Sequence, residues 1–333
     1  MNSLEYIYSE LGENICLYPF LGAFYQTNNV IPKHQDAGPN TIRPCSIIQY
    51  ENLSDWNVEN RSLVQSRNNT HWKQLRQDFV DGKFHQIKSC AGCSYNERAG
   101  ATSPRLMNNK FYSEFVKADI VQAVKNIIHN NNEVKEIYTL DYYPSNYCNF
   151  SCIMCSGGAS SQRMVYEQRV LKHLNKISLN NPDTDFLDVL DQVEVINFTG
   201  GETVLQKQVH EIMDYLIDRG LSSKILITLL SNGSSGPTEL IEKYKKFRGV
   251  VYNVSIDGIG DVIEYQRRGC KWNEVEVNAL DLMKHEYISC VINYVLTAVN
   301  ALSIMDFLDW MFDHCIGPTD AYSGRSFFNI SPV

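Results

Sequence analysis

The sequence predicts an α/β fold with a parallel sheet, preceded by a smaller region that contains several cysteines. From Val134 onward, short apolar runs alternate with amphipathic segments of helix length, which is the pattern of βα units around a parallel sheet. The length of 333 residues corresponds to about two domains. We therefore expect a cysteine-rich domain at 1–110, a linker helix at 111–133 and a second domain at 134–333.

The first region contains four separated cysteines, Cys16, Cys45, Cys90 and Cys93. Between the second and third of them we predict a helix from Thr70, as its N-cap, to the stop signal Asp81-Gly82. Four thiolates close a tetrahedral site, which suits either structural zinc or a fully ligated iron–sulfur cluster. Spacing alone does not choose between these centres, and unliganded core cysteines are the third interpretation.

The second region begins after one amphipathic helix, predicted at Phe111–His129, and a polar run at 130–133. Its apolar runs predict six strands, at Ile137–Tyr143, Val193–Phe198, Ile225–Leu230, Val250–Val254, Ser289–Leu296 and Phe327–Ile330. Helices are predicted between them, near 158–177, 204–219, 237–246, 259–266, 274–285 and 302–314. In such a fold, functional groups lie where the strands end and the loops begin.

Composition narrows the class of protein. The net charge of −8 argues against nucleic acid as a partner, because phosphate binding needs clustered Lys and Arg. The first twenty residues lack a basic start and a long apolar run, and no segment approaches the roughly 20 apolar residues of a membrane span. C-x2-C pairs in such a chain indicate metal or redox sites rather than disulfides. We therefore expect a cytoplasmic protein without a membrane partner.

The most informative stretch is the loop Cys148-Asn149-Phe150-Ser151-Cys152-Ile153-Met154-Cys155, which follows the first predicted strand of the second region. Its three cysteines have the spacing C-x3-C-x2-C. A [4Fe–4S] cluster normally takes four cysteines, so a loop that offers three leaves one iron free to bind another ligand.

This triplet resembles the signature of the radical S-adenosylmethionine (SAM) superfamily. The resemblance implies a partial (β/α)6 TIM-like barrel and a [4Fe–4S] cluster held by Cys148, Cys152 and Cys155. It further implies reductive cleavage of SAM to a 5′-deoxyadenosyl radical that abstracts hydrogen from a substrate. An electron donor such as a flavodoxin or ferredoxin is then needed. The residue before the last cysteine is usually aromatic in the family, and here it is Met154, whose backbone is expected to meet the adenine.

Cofactor contacts are expected of residues at or after the ends of three later strands, Gly200, Gly201, Glu202, Ser231, Asn232, Ser255, Asp257 and Arg268. From residue chemistry, Ser231 and Asn232 suit hydrogen bonds to ribose or carboxylate. By resemblance, the Gly-Gly-Glu triplet holds the methionyl amine of SAM, and Ser255 and Asp257 contact ribose and methionine. From residue chemistry, a guanidinium such as that of Arg268 matches the SAM carboxylate. Each has a structural alternative: a turn for the glycines and for Ser231-Asn232-Gly233, a cap for Asp257 and a solvated helix end for Arg268.

The first region resembles the SPASM/twitch module that holds an auxiliary [4Fe–4S] cluster in many radical SAM enzymes. Analogy with those enzymes implies a peptide or protein side chain as substrate. Two other readings stay open. One is a zinc-binding interaction protein without enzymatic activity, and the other is a SAM-binding protein without turnover.

The three remaining cysteines, Cys270, Cys290 and Cys315, have no ligand-like spacing, and Cys290 is expected to be a small buried hydrophobe. The sequence ends in or just after an apolar strand at Phe327–Ile330. An uncovered strand invites association, so we expect either a truncated reading frame or a barrel closed by another chain.

Overall fold

The computed structural model describes residues 3–27, 30–31, 40–46, 48, 58, 62–171, 176–177, 184–236, 240–314, 317–318 and 326–332. Cys315 lies outside these residues. The chain divides into two compact units, the first formed by Met1–Tyr143 and Lys176–Ile196 and the second by Pro144–Asn175 and Asn197–Val333.

The elements up to residue 143 are mostly helical. They are α1 (Leu4–Leu11), α2 (Tyr18–Leu21), β1 (Gly22–Gln26), β2 (Val30–Ile31), β3 (Thr41–Arg43), α3 (Leu63–Ser66), α4 (Thr70–Val80), α5 (Ala91–Arg98), α6 (Pro104–Phe115), α7 (Ile120–His129) and β4 (Thr139–Tyr143).

Strands and helices alternate over the rest of the chain. The elements are β5 (Ser151–Cys152), α8 (Ser161–Tyr166), β6 (Lys176–Ile177), β7 (Val195–Phe198), α9 (Lys207–Asp218), β8 (Leu226–Ser231), α10 (Ile241–Tyr244), β9 (Gly249–Ser255), α11 (Gly260–Gln266), β10 (Arg267–Arg268), α12 (Trp272–Met283), β11 (Ile288–Leu296), α13 (Ile304–Asp313), β12 (Gly317–Pro318) and β13 (Ser326–Pro332).

Polar side chains set where the helices of the first unit begin. The N-cap of α4 is Asn69, whose side chain accepts the N–H of Trp72, and not the predicted Thr70. The single helix predicted at Phe111–His129 is two helices, α6 and α7. The chain turns between them because Val116 is extended and the Asp119 carboxylate caps α7 by accepting the N–H of Gln122.

The first unit contains a short mixed sheet, in which β1 pairs in parallel with β4 and antiparallel with β3. The sequence did not predict β1 or β3. Two buried arginines bind carbonyl groups next to this sheet. Arg67 donates to the carbonyl of Phe20 at 2.9 Å, and Arg76 donates to that of Asn132 at 2.8 Å. Carbonyls at the ends of short elements are thereby satisfied by guanidinium groups.

The second unit has a parallel sheet. Strands β8, β9, β11 and β13 pair in parallel in that order, and β12 pairs in parallel with β13. This confirms an α/β fold with a mainly parallel sheet. Because the strands are parallel, their carboxyl ends lie at one edge, where Ser231 and Ser255 are the last residues of β8 and β9.

All six predicted strands are present, with ends that differ by up to two residues. One helix prediction is wrong at its end, because residues 176–177 of the predicted helix 158–177 form β6, which pairs with β2. Cys290 is fully buried on β11, as expected for a small hydrophobe. Within the described ranges, no helix is long and apolar enough to cross a membrane.

Candidate active site

The cysteine loop of the second unit is held by a two-stranded ribbon that the sequence did not predict. Strand β5 pairs antiparallel with β10, so that Cys152 lies opposite Arg267. The N–H of Ile153 donates to the carbonyl of Gln266 at 2.8 Å, and the N–H of Cys155 donates to that of Cys152 at 3.2 Å. Backbone hydrogen bonds therefore fix the central cysteine and the turn after it.

Two serines at the start of α8 hold the other end of the loop. Ser160 donates its hydroxyl to the carbonyl of Phe150 at 2.6 Å, and its oxygen also accepts the N–H of Arg163 as the N-cap of the helix. The hydroxyl of Ser161 is 3.1 Å from the carbonyl oxygen of Cys148 and 3.2 Å from its nitrogen. The backbone of Cys148 is thus bound to the first turn of α8.

The three thiols lie close enough to influence one another. Cys148 and Cys152 are each 8% exposed, and Cys155 is half-buried. Burial is the main reason that the pKa of Cys152 is raised to about 11; Arg267 opposes this shift, and Cys155 and Cys148 add to it. Thiols whose negative charges oppose one another in a buried loop are suited to a cationic centre that binds them as thiolates.

Among the described residues, no group of three or more His, Cys, Asp or Glu side chains is arranged around a single metal ion. In an iron–sulfur cluster each cysteine binds its own iron.

The glycine pair after β7 lies against the segment that leads into Cys148. Gly200 has a φ of +118°, which favours glycine. A Cβ atom on Gly201 would be 2.1 Å from the carbonyl oxygen of Tyr147 and 2.5 Å from its carbon. The N–H of Gly201 donates to Ser145 at 3.1 Å, and that of Glu202 donates to Tyr147 at 2.8 Å. Only glycine permits this close approach at position 201.

Glu202 carries a buried carboxylate that is only partly satisfied. Its side chain is fully buried, and Oε2 accepts the N–H of Asn232 at 2.5 Å. Oε1 is buried and has no hydrogen-bond partner in the described part of the chain. Burial raises the pKa of Glu202 to about 7, against the opposing effects of the Asn232 N–H, the Ser231 hydroxyl, the Val204 N–H and the charge of Arg267. An unpartnered buried carboxylate oxygen is costly unless a donor or cation meets it.

Side-chain hydrogen bonds hold the turn after β8. The hydroxyl of Ser231 accepts the N–H of Gly233 at 3.0 Å, and Oδ1 of Asn232 accepts the N–H of Ser234 at 2.9 Å. The Asn232 amide also reaches the cysteine loop, because its Nδ2 donates to Oδ1 of Asn149 at 2.8 Å. The polar side chains of the turn therefore also bind the loop.

Asp257 forms a buried ion pair with Arg267, a residue that the sequence did not single out. Oδ2 of Asp257 lies 2.6 Å from NH2 and 2.8 Å from Nε of Arg267. Oδ1 accepts the N–H of Val295 at 2.9 Å. Both carboxylate oxygens are thus bound by protein donors. The predicted contact of Asp257 with SAM stays a prediction.

The other predicted contacts are more exposed. Arg268 is exposed, and its guanidinium lies 5.3 Å from the centre of the Tyr166 ring. Met154 is 37% exposed in the turn between the last two cysteines, and Ser255 is half-buried at the end of β9. Side chains alternate between the two faces of β10, so Arg267 is buried and Arg268 is exposed. The sequence shows two adjacent arginines but not which of them is buried.

The four cysteines of the first unit also come together. Burial raises the pKa of Cys16 well above its ordinary value, and the charges of Cys90 and Cys45 raise it further. Cys90 is influenced in the same way by Cys45 and Cys93. Cysteines that are far apart in sequence therefore lie close enough to influence one another's pKa.

A buried guanidinium stands beside these cysteines. Arg105 donates to both carboxylate oxygens of Glu97, at 2.9 and 2.6 Å, and to the carbonyl of Ile15 at 2.6 Å. It thereby joins the segment that contains Cys16 to helix α5, which contains Cys93. Its positive charge lowers the pKa of both cysteines, against the effect of their burial.

Comparison with known families agrees with the geometry of the second unit. The sequence model of the Radical SAM superfamily matches residues 142–311, slightly more than half of the chain. The chain belongs to this superfamily. Membership confirms the prediction of a radical SAM enzyme and implies a [4Fe–4S] cluster and SAM as its cofactors.

Similar proteins include an S-adenosylmethionine-dependent nucleotide dehydratase of Selenomonas ruminantium, which is 25% identical over 177 residues. The alignment covers 49% of this chain and 58% of the relative, so the chain spans little more than half of that protein's length.

Two solved structures are also similar. SuiB of Streptococcus suis bound to its precursor peptide SuiA has a TM-score of 0.44 and 14% identity, covering 85% of this chain and 57% of SuiB. TYW1 with a lysine–pyruvate adduct has a TM-score of 0.33 and 15% identity, covering 60% of this chain and 63% of TYW1. The family assignment does not depend on them.

The residues of the second unit fit the radical SAM cofactors. Cys148, Cys152 and Cys155 offer three thiols on one braced loop. Gly201 brings the Gly-Gly-Glu turn against that loop, and Glu202 carries the unpartnered oxygen that a methionyl ammonium would satisfy. The individual roles stay predictions.

Proposed function

We propose that this chain reductively cleaves SAM and uses the 5′-deoxyadenosyl radical to abstract hydrogen from a substrate. The observation that carries the proposal is the buried Oε1 of Glu202, which has no partner in the described part of the chain and which follows directly on the Gly-Gly turn packed against the cysteine loop. When bound, the cluster supplies the electron for cleavage.

The cysteines at 148, 152 and 155 hold the cluster in this proposal. Glu202 would accept a charge-assisted hydrogen bond from the methionyl ammonium, and Gly200 and Gly201, which lack side chains, would let the ligand approach the backbone. A carboxylate kept out of water orients this ammonium without competition from solvent. The cofactor contacts of Ser231, Asn232, Ser255, Asp257, Arg268 and the Met154 backbone belong to the same proposal.

The remaining architecture follows the family. We infer a partial (β/α)6 barrel, for which the alternation of parallel strands and helices from β8 to β13 is the support. A flavodoxin or ferredoxin is the inferred reductant, and the cytoplasm the inferred compartment, because thiols remain reduced there.

In the first unit we propose an auxiliary [4Fe–4S] cluster in a SPASM/twitch-like domain. The support is the electrostatic coupling of Cys16, Cys45 and Cys90, with Cys93 next to Cys90, and the buried Arg105 that partly balances thiolate charge. Zinc is the alternative occupant, since it takes four thiolates equally well.

A peptide or protein side chain is the first candidate substrate, by analogy with enzymes that carry such a domain. A nucleotide is the second candidate, because the relative from Selenomonas ruminantium is a nucleotide dehydratase. Incubation with deuterated peptides or with deuterated nucleotides distinguishes the two, because deuterium should be transferred into 5′-deoxyadenosine only from the class that is the substrate.

The test is SAM cleavage by anaerobically purified and reconstituted protein. With dithionite and SAM we expect a brown protein that releases 5′-deoxyadenosine, and we expect no release from the matched variant Cys155→Ala. A colourless protein that contains zinc but no iron would instead support the zinc-binding interaction protein. Iron-loaded protein that binds SAM without releasing deoxyadenosine would support binding without turnover.

A further inference from the structure

In the second unit, Asn232 lies between Glu202 and Cys148. Its backbone N–H donates to Oε2 of Glu202 at 2.5 Å. Its side chain, which is buried, points the other way, with Nδ2 at 3.8 Å from Sγ of Cys148. One residue thus contacts the carboxylate through its main chain and a cysteine sulfur through its amide.

The orientation of the amide is determined by its other contacts. Oδ1 of Asn232 accepts the N–H of Ser234 at 2.9 Å, and Nδ2 donates to Oδ1 of Asn149 at 2.8 Å. The reverse orientation would set two acceptors against each other at Asn149 and two donors against each other at Ser234. The NH₂ group is therefore the end that faces Cys148.

Helix α12 packs against the turn that carries this amide. Asn278 on α12 donates to the carbonyl of Gly233 at 2.8 Å. A Cβ on Gly233, whose φ is +76°, would lie 2.9 Å from a methyl group of Val275. Helix α12 therefore braces the turn that carries the amide.

Cys148 receives a second donor from the same loop, since the N–H of Phe150 lies 3.5 Å from its sulfur. Hydrogen bonds to the sulfurs of an iron–sulfur cluster are among the factors that set its reduction potential. Reduction adds negative charge to the cluster and its ligands, so a donor to a ligand sulfur stabilises the reduced form and raises the potential.

We propose that the Asn232 side-chain amide donates a hydrogen bond to the Cys148 thiolate and raises the reduction potential of the cluster bound there. This inference rests on the proposed function. It makes Asn232 a positioning residue with two separable parts: the main chain orients Glu202 toward SAM, and the side chain tunes the cluster. Substitution of the side chain leaves the main-chain hydrogen bond to Glu202 in place.

The test compares the reconstituted full-length protein with Asn232→Ala, Asn232→Asp and the control Ser234→Ala. The control removes the hydroxyl that accepts the Asn149 amide at 2.9 Å, so it loosens the same loop without removing a donor to sulfur. The midpoint potential is followed by EPR in a mediated titration without SAM, using the signal that changes when SAM is added afterwards.

We expect the alanine variant to lower the equilibrium constant of reduction about tenfold, the value of one hydrogen bond to a charged group, which is about 59 mV for one electron. The aspartate variant should lower it further, because it brings a negative charge to the sulfur. Ser234→Ala should leave both the potential and the SAM affinity unchanged. Equal potentials in all proteins, or loss of iron from both Asn232 variants, would overturn the inference. The absence of any SAM-responsive signal in the unchanged protein would overturn the proposed function instead.

Discussion

Oε1 of Glu202 is buried and has no hydrogen-bond partner among the described residues, so we expect substitution of Glu202 to change SAM binding. We expect Glu202→Gln to weaken SAM about 10- to 100-fold, the loss of one charge-assisted hydrogen bond. The Gln oxygen must still accept the Asn232 N–H, so its NH₂ group would face the methionyl ammonium. Equilibrium dialysis of the cluster-loaded protein measures the affinity.

The folding of this variant serves as the control. Gln keeps the size of Glu and still accepts the Asn232 N–H, so the melting temperature should stay close to that of the unchanged protein. Unchanged SAM affinity in a folded, iron-loaded variant would exclude Glu202 as the ammonium acceptor.

Gly201 tests how closely the cofactor turn must approach the loop. In Gly201→Ala the new methyl group would lie 2.1 Å from the backbone oxygen of Tyr147. Backbone cannot move aside as a side chain can, and such overpacking costs about 1–3 kcal/mol of unfolding free energy. The free energy of unfolding, measured with a denaturant, and the iron content should both decrease.

The matched control is Gly249→Ala, where the added Cβ meets only the end of the Leu226 side chain, at 3.2 Å. A flexible side chain can shift by a few tenths of an ångström, so we expect a small change in stability and full iron content. Equal effects of the two substitutions would show that the Gly201 contact does not constrain the loop.

At the scale of elements, strand β10 gives two neighbouring arginines opposite roles. Arg267→Ala would leave the fully buried Asp257 without its cation, and breaking such a pair costs about 3–5 kcal/mol. Arg268→Ala removes an exposed side chain and should cost less than about 0.5 kcal/mol. Urea unfolding of both variants measures the difference, and similar losses would contradict the assigned roles.

The sequence predicted the long strands but not the short ribbon or the break between two helices. The predicted strands were found because runs such as Val250–Val254 are apolar and bounded by turn residues. The ribbon β5–β10 was not found, because two residues carry no periodicity and its partners are more than 100 positions apart. The break between α6 and α7 was missed because apolar spacing continues across it, whereas the cap at Asp119 depends on a single side chain.

Some features of the candidate site could likewise be predicted from the sequence, and others could not. The cysteine spacing indicated the cluster, and the resemblance to the radical SAM family indicated the role of the Gly-Gly-Glu triplet, which follows one βα step later. Sequence could not tell that Arg267 is buried and Arg268 exposed, nor that the Asn232 amide faces a cysteine. Those properties depend on strand pairing and on the orientation of a turn, which long-range contacts decide.

At the scale of the whole molecule, each unit brings together its own set of cysteines, so their metal contents should be separable. We expect about eight irons per chain after reconstitution, and about four in Cys90→Ala/Cys93→Ala, which leaves the first unit with only Cys16 and Cys45. The double variant should still release deoxyadenosine from SAM, because the proposed SAM site uses Cys148, Cys152 and Cys155. Metal analysis and EPR distinguish the outcomes.

One alternative outcome is about four irons and one zinc in the unchanged protein, with the zinc lost in the variant. That result would assign zinc to the first unit. Unchanged metal content in the variant would leave its four cysteines without a ligand role.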